Sequence, residues 1–278
     1  MDAPFFLLDG KQPGRGANLI HPSNRSFRYG EGLFETLRCF GGKVPLWFFH
    51  RKRLQTGMER LGLQLPVHFS TDDMLEQAIE LARKNKAAGN ARIRLTLWRG
   101  DGGLWDEVVG PAHYSIEVWP VPLHPQLNSN GVVMGIYPDG WKSCDGFSNL
   151  KTNNYLLYAM AARYGKEQRW NDALVLNQYQ RICDTTIANV FIRKGSNWYT
   201  PALTEGCVAG VMRQFLFEQP GWQISEKILA TEELLQADEV ILTNAFFGMR
   251  WVQQIGTKQF SCSTAPDLFR QMVQPLFS

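Results

Sequence analysis

Between Pro120 and Gly131 the chain reads PVPLHPQLNSNG: three prolines, two asparagines and a closing glycine, with no periodic apolar face. Proline removes a backbone donor and pushes the residue before it out of the helical region, so neither a helix nor a central strand runs through such a stretch. It divides the 278 residues into two bodies. The expected organisation is a small N-terminal α/β domain over 1–121, a linker over 122–130 and a larger C-terminal domain over 131–278. The chain is long enough to bury a substantial core, and a cleft between two domains is the default ligand site.

Patterns on both sides of that break mix strands with helices. ARIRLTLW (91–98) alternates Ile93, Leu95 and Leu97 with Arg92, Arg94 and Thr96, the signature of a half-buried strand, and HYSIEVWPV is the next strand. In WFFHRKRLQTGMERLGL, Leu54, Met58 and Leu61 share one helical face. STDDMLEQAIELARKN is a second helix, with Ser70 as its N-cap and Asp72 and Asp73 complementing the dipole. Beyond the break come the strand GVVMGIYP, a helix after Lys151, the strands DALVLN and RICDTT, and the hairpin ANVFIRKGSNWYTP. TEGCVAGVMRQFLFE is a glycine-flanked loop entering a helix, followed by the helix ATEELLQ and the strand ADEVILTN. The fold class is α+β or α/β, in two domains.

Composition excludes several functions. A net charge of +3 with no long basic run argues against nucleic-acid binding, which needs clustered cations on phosphates. No apolar run approaches a membrane span, and Asp2 stands where a secretory signal needs positive charge. Cys39, Cys144, Cys183, Cys207 and Cys262 are odd in number and dispersed, which predicts free thiols in a reducing cytoplasm. No His/Cys grouping has ligand spacing, so no metal is expected. RGDGGLW lacks the third glycine of a dinucleotide fingerprint and joins two strands, which disfavours a nicotinamide enzyme.

Four local signals remain, each with an ordinary reading beside it. Lys151, at the start of a helix in NLKTNNYL, is either a solvated charge or a reactive amine. GCVAGVMRQF leads two glycines into a helix start, where the amides of Val211 and Met212 could hold an anion; a tight turn is the plainer explanation. Arg53 adjoins Arg51 and Lys52 and alone reads as a solvated basic face. Asp184, after an apolar strand, is a turn residue or a buried carboxylate needing a cationic partner. Together an amine, an anion-binding helix start, an arginine and an acid for a ring nitrogen are what pyridoxal 5'-phosphate requires.

In the same order these segments resemble the class IV aminotransferases, of fold type IV. The likeness runs from FRYGEGLFETLR (27–38) to ADEVILTNAFFGMRWVQQIG (237–256). That family includes branched-chain and D-amino-acid aminotransferases and 4-amino-4-deoxychorismate lyase. The resemblance implies a Schiff-base lysine at Lys151, carried on the C-terminal domain, and a phosphate ligand at Arg53 in HRKRL. It implies a pyridine-nitrogen carboxylate at Asp184, Val208 against the ring, and Val211 and Met212 at the phosphate. Asn244 and Ala245 fall where the lyases carry Asn-Ala, and Met212 replaces the usual threonine. The family usually has glutamate where Asp184 stands.

GVMRQF, LLQADEVILTNA and Thr36 in FETLR resemble the lyase, which forms 4-aminobenzoate and pyruvate in folate biosynthesis; Tyr155 is more like the aminotransferases. Thr36 is a candidate for proton transfer in the lyase branch, or an ordinary strand threonine. Phe34, Arg28, Arg94, Arg99 and Arg250 are candidate contacts for a small carboxylated amino substrate. A homodimer is implied. The competing expectations are an amino-acid aminotransferase and, from another class, a non-catalytic binding protein, which would be colourless.

Overall fold

The structure, a computed structural model, describes residues 5–14, 20–107, 110–121 and 126–277. Tertiary contacts divide the chain into one unit of Met1–His124 with Leu150–Asn154 and another of Pro125–Asn149 with Tyr155–Ser278. Lys151, expected on the C-terminal domain, therefore packs with the first unit. Of the expected linker 122–130, residues 122–125 lie outside the described residues, and 126–130 carry neither helix nor strand.

The first unit contains β1 (Phe6–Leu8), α1 (Arg25–Tyr29), β2 (Gly32–Phe40), α2 (Trp47–Leu61), α3 (Thr71–Lys84), β3 (Asn90–Trp98) and β4 (His113–Pro120). The strands form an antiparallel sheet in the order β1-β4-β3-β2. Strand periodicity of two sorts the side chains. Leu33, Leu37 and Cys39 of β2, Ile93, Leu95 and Leu97 of β3, and Ile116 and Val118 of β4 enter one core with Leu54 of α2 and Met74, Ala78 and Leu81 of α3. Register places Phe34, Thr36 and Arg38 opposite Thr96, Arg94 and Arg92, all on the other face. The expected cap of α3 is present and doubled: Ser70 Oγ accepts from the Asp73 amide, and the Asp73 carboxylate accepts from the Ser70 amide.

The second unit begins with β5 (Val132–Ile136), α4 (Leu156–Glu167), β6 (Asp172–Leu176), β7 (Ile182–Thr185), β8 (Asn189–Lys194) and β9 (Asn197–Pro201). It continues with α5 (Val211–Phe217), β10 (Ile224–Lys227), α6 (Thr231–Leu235), β11 (Glu239–Asn244), β12 (Gly248–Ile255), β13 (Lys258–Gln259) and α7 (Ala265–Leu268). One mixed sheet runs β10-β9-β8-β11-β12-β5-β6-β7, with β13 on β12. β5 lies parallel to both β12 and β6, while β6 and β7 are antiparallel. Val190, Ile192, Val240, Leu242 and Val252 fill its larger core. A smaller one joins Tyr158 and Ala161 of α4 to Ala173 and Val175 of β6 and to Val208. Among the described residues no helix is long and apolar enough to cross a membrane.

Candidate active site

Lys151 is placed by its backbone. The Phe34 amide donates to the Lys151 carbonyl at 2.9 Å, and the Asn153 amide to the Gly32 carbonyl at 2.9 Å, so residues 150–154 lie alongside the start of β2. Gly32 permits the approach: a Cβ there would sit 2.4 Å from Asn153 Nδ2. The half-buried Lys151 amine stands 4.3 Å from the centroid of the Phe34 ring, and the Arg94 guanidinium 4.1 Å from the same ring. Thr36, two residues along β2 on the same face as Phe34, pairs in register with Arg94.

Behind that strand Glu35 points to the core side and is 1% exposed. Both its oxygens accept from Arg53 on α2, Oε1 from Nε at 2.7 Å, and Oε2 also accepts from His50 Nδ1 at 2.8 Å. Burial would push this carboxyl up, but the Arg53 guanidinium and His50 outweigh it and hold it at about 2. Burial pushes His50 the other way, toward the neutral ring, helped by Arg53 and Lys151. The basic-surface reading of Arg53 fails for this reason, although Arg51 does form a surface pair with Asp72.

The other cationic candidates separate by what already holds them. Arg99 binds Glu31 and the carbonyls of Leu61 and Gly62, which ties α2 to the loop after β3. Arg28 is exposed and donates to the Pro22 carbonyl at 2.8 Å. Arg250, in the second unit, lies 4.4 Å from the centroid of the Phe247 ring. Arg94 is the substrate candidate brought against the ring that also meets Lys151.

In the second unit Asp184 is 2% exposed on β7. Its carboxylate accepts from the Tyr158 hydroxyl, at 2.9 and 3.1 Å, and from the Val208 amide at 3.0 Å. Burial pushes its carboxyl above the ordinary range, and the nearby Lys142 charge and these two donors pull it back. The cationic partner expected for a buried Asp184 is thus one step removed: Lys142 Nζ donates to the Tyr158 oxygen at 2.7 Å.

Val208 leads through Ala209 and Gly210 into α5. Asn189 Nδ2 holds the Val208 carbonyl at 2.9 Å, and a Cβ on Gly210 would fall 1.7 Å from Asn189 Oδ1, so only glycine fits there. The N-cap Gly210 supplies no side-chain bond to α5, whose first residues are Val211 and the fully buried Met212. Asn244 ends β11 as a turn brace, its Oδ1 accepting from the amides of Phe246 and Phe247, with Ala245 half-buried beside it. Next to it Thr243 Oγ1 is buried without a hydrogen-bond partner. The first unit thus offers a half-buried amine, and the second a buried carboxylate, a close-packed glycine before a helix with no side-chain cap, and an orphaned buried hydroxyl; each is a residue type that a phosphorylated pyridine aldehyde calls for.

Tyr158 and Lys142 escaped the reading of the sequence, while Glu35 and His50 lie in the segments GEGLFETLR and HRKRL that carry the resemblance but had no role assigned. His50 and Arg53 carried a usable signal, since positions three apart share a helix face and can grip one carboxylate. Lys142, in the loop DGWKSC, carried none.

Comparison with known proteins identifies the family. The family profile for amino-transferases of class IV matches residues 32–255. An aminodeoxychorismate lyase of Bacillus subtilis (strain 168) is 30% identical over 252 residues, covering 87% of this chain and 83% of that protein. The structure of the Escherichia coli branched-chain amino acid aminotransferase superposes with a TM-score of 0.86 at 20% identity, covering 100% of this chain and 95% of that one. A hypothetical aminotransferase from Mycobacterium tuberculosis in a PLP-bound form gives 0.81 at 20% identity, covering 98% of both chains. With its two α+β units, its lysine segment laid against β2 and its buried acid on β7, this chain belongs to the class IV aminotransferase family.

Proposed function

We propose that this chain is a pyridoxal 5'-phosphate-dependent lyase that converts 4-amino-4-deoxychorismate into 4-aminobenzoate and pyruvate. The observation that carries the reading is the fixed Lys151 amine against Phe34, on the sheet face that also presents Thr36 and Arg94. The likeness to a B. subtilis aminodeoxychorismate lyase across 87% of this chain supports the choice of reaction.

When bound, pyridoxal phosphate would supply an aldehyde carbon for the Lys151 amine and a ring able to draw electrons from the substrate's Cα. The Lys151 amine takes the Cα proton and returns a proton later. Thr36, with its hydroxyl on the same face, assists proton transfer to the departing pyruvate portion. Arg94 meets a substrate carboxylate, with Phe34 beside it. Arg53 in the first unit, and Val211, Met212, Asn244 and Ala245 in the second, would serve the phosphate end, and Glu35 fixes the reach of Arg53. Val208 would lie against the ring, and Asp184 would serve the pyridine nitrogen. Loss of the pyruvate portion leaves an aromatic amine, a driving force that transamination lacks.

The enzyme works in the cytoplasm as a homodimer on a small carboxylated amine. An aminotransferase is the second reading, favoured by Tyr155, which is fixed by its hydroxyl's bond to the Thr186 carbonyl at 2.9 Å. The test is the visible spectrum of the wild type beside Lys151→Ala, followed by product assays. A band quenched by borohydride in the wild type and lost in Lys151→Ala, with 4-aminobenzoate formed from aminodeoxychorismate, is the expected result. Keto acid from amino acid and 2-oxoglutarate, without 4-aminobenzoate, selects the second reading, and a colourless wild type rejects both.

A further inference from the structure

The loop before Lys151 brings a second lysine to the buried acid. Two backbone bonds fix Lys142 at the end of β6: its amide donates to the Leu176 carbonyl and its carbonyl accepts from the Gln178 amide, both at 2.9 Å. Its side chain runs inward, where Nζ donates to the Ser148 carbonyl at 2.9 Å and to the Tyr158 oxygen at 2.7 Å. Ser148 is itself braced, its Oγ bonding the Ser143 carbonyl at 2.7 Å and the Asp145 carboxylate at 2.9 Å. Tyr158, 4% exposed, completes the path to both oxygens of Asp184.

The direction of that path follows from donor chemistry. An ammonium has three protons and no acceptor, so the Tyr158 oxygen must accept from Lys142. The single phenolic proton is then left for Asp184. With Tyr158 and the Val208 amide both donating, and the Tyr158 oxygen already accepting from Lys142, an ionised carboxylate uses its oxygens as acceptors and carries no proton of its own in need of a partner, so the arrangement matches an ionised carboxylate. Charge-assisted bonds of this kind are the strong ones, and a low-dielectric surrounding strengthens them further.

We propose that Lys142 is a positioning residue which, through the Tyr158 hydroxyl, keeps the Asp184 carboxylate ionised and oriented. The proposal rests on the coenzyme reading only in what the carboxylate is for: an ionised Asp184 keeps a pyridine nitrogen protonated. Among the described residues, the other groups around the path bring no compensating positive charge. Tyr155 packs on Tyr158 at 4.4 Å between ring centroids. Cys144, Cys183 and Cys207 are thiols that burial holds protonated, Cys207 pushed up to about 12. Farther out, Arg213 pairs with Glu226 and Arg181 with Glu205. The relay also answers the substitution of aspartate for the family's usual glutamate: a shorter arm gains from being fixed by two donors, the Tyr158 hydroxyl and the Val208 amide.

The experiment follows the Asp184 carboxyl carbon by NMR in full-length protein labelled at its aspartates, with Asp184→Asn assigning the signal. The wild-type resonance is expected to report an ionised group throughout the neutral range. Lys142→Met moves the titration midpoint up by about one unit or more, Tyr158→Phe moves it the same way, and Lys142→Arg leaves it near the wild-type position. In the holoenzyme, Lys142→Met shifts the nitrogen resonance of ring-labelled pyridoxal phosphate toward the unprotonated form. It lowers kcat by about tenfold with KM little changed, and Lys142→Arg restores both. An unmoved Asp184 midpoint in Lys142→Met, even with a lower melting temperature, overturns the proposal. So does an unmoved midpoint in Tyr158→Phe should the lysine variant fail to fold. The carboxyl titration needs no coenzyme, so a wild type that binds no pyridoxal phosphate rejects the functional reading and still leaves this measurement decisive.

Discussion

Glu35 and Asp184 pose the same physical problem in different units, and the chain solves it in two ways. Each is a carboxylate on a strand, 1% and 2% exposed. Glu35 meets its cation directly: Arg53 grips both oxygens, His50 adds a third bond, and the carboxyl is held at about 2. Asp184 meets neutral donors, a phenol and a backbone amide, with the Lys142 charge one residue farther away, and burial keeps its carboxyl above the ordinary range. A direct bidentate pair spends the anion on the fold and locks α2 to β2. Neutral donors fix the geometry while leaving the negative charge available to another cation. The first arrangement suits a part that must not move, and the second suits a carboxylate with a partner still to meet.

The contrast breaks most visibly at Arg53. Arg53→Met leaves Glu35 buried without its cation and is expected to cost about 3–5 kcal/mol in urea unfolding. The double variant with Glu35→Gln recovers much of that loss, because the stranded charge is gone. Acid gives the next largest effect. Glu35 titrates below its ordinary value of 4.5, so its stabilisation is complete above that pH and is lost as the pH falls toward about 2. The loss amounts to about 3 kcal/mol, and Glu35→Gln flattens this part of the pH–stability curve. Asp184 has the opposite sign. Its folded value lies above 3.8, so its stabilisation is present below that pH and lost as the pH rises through the raised value. At neutral pH Asp184→Asn is therefore expected to raise the melting temperature of the coenzyme-free chain, by no more than about 4 °C, while activity falls. A marked destabilisation by Asp184→Asn would remove the distinction between the two carboxylates.

Much of the scaffold was written in local pattern. Ile93, Leu95 and Leu97 alternate because one face of β3 is buried, and Ser70 with Asp73 caps α3 because both bonds close within four residues. β12 was read only inside a motif, since GMRWVQQI breaks clean alternation and takes its place from β11 on one side and β5 on the other. Site residues followed the same division. Lys151, Arg53 and Asp184 stood in recognisable segments, yet their surroundings did not. Arg53 reads as surface until Glu35, eighteen positions away in sequence, is brought to it across β2 and α2. Arg99 reads as a free cation until Glu31 and the end of α2 take up its donors.

What the sequence alone determined is the kind of chemistry: an amine, an acid and a glycine-led helix start in a fixed order, together with the alternations that make the strands. These are properties of residue types and short spacings, and they survive without knowledge of any long-range contact. Tertiary structure decided the environment of each charge. It laid residues 150–154 along β2 so that the Lys151 amine meets Phe34, and it put Lys142 behind Tyr158. The physical reason is that burial, and whether a cation arrives directly or through a neutral donor, depends on which distant segments pack together, and that is what sets a carboxylate's charge and use.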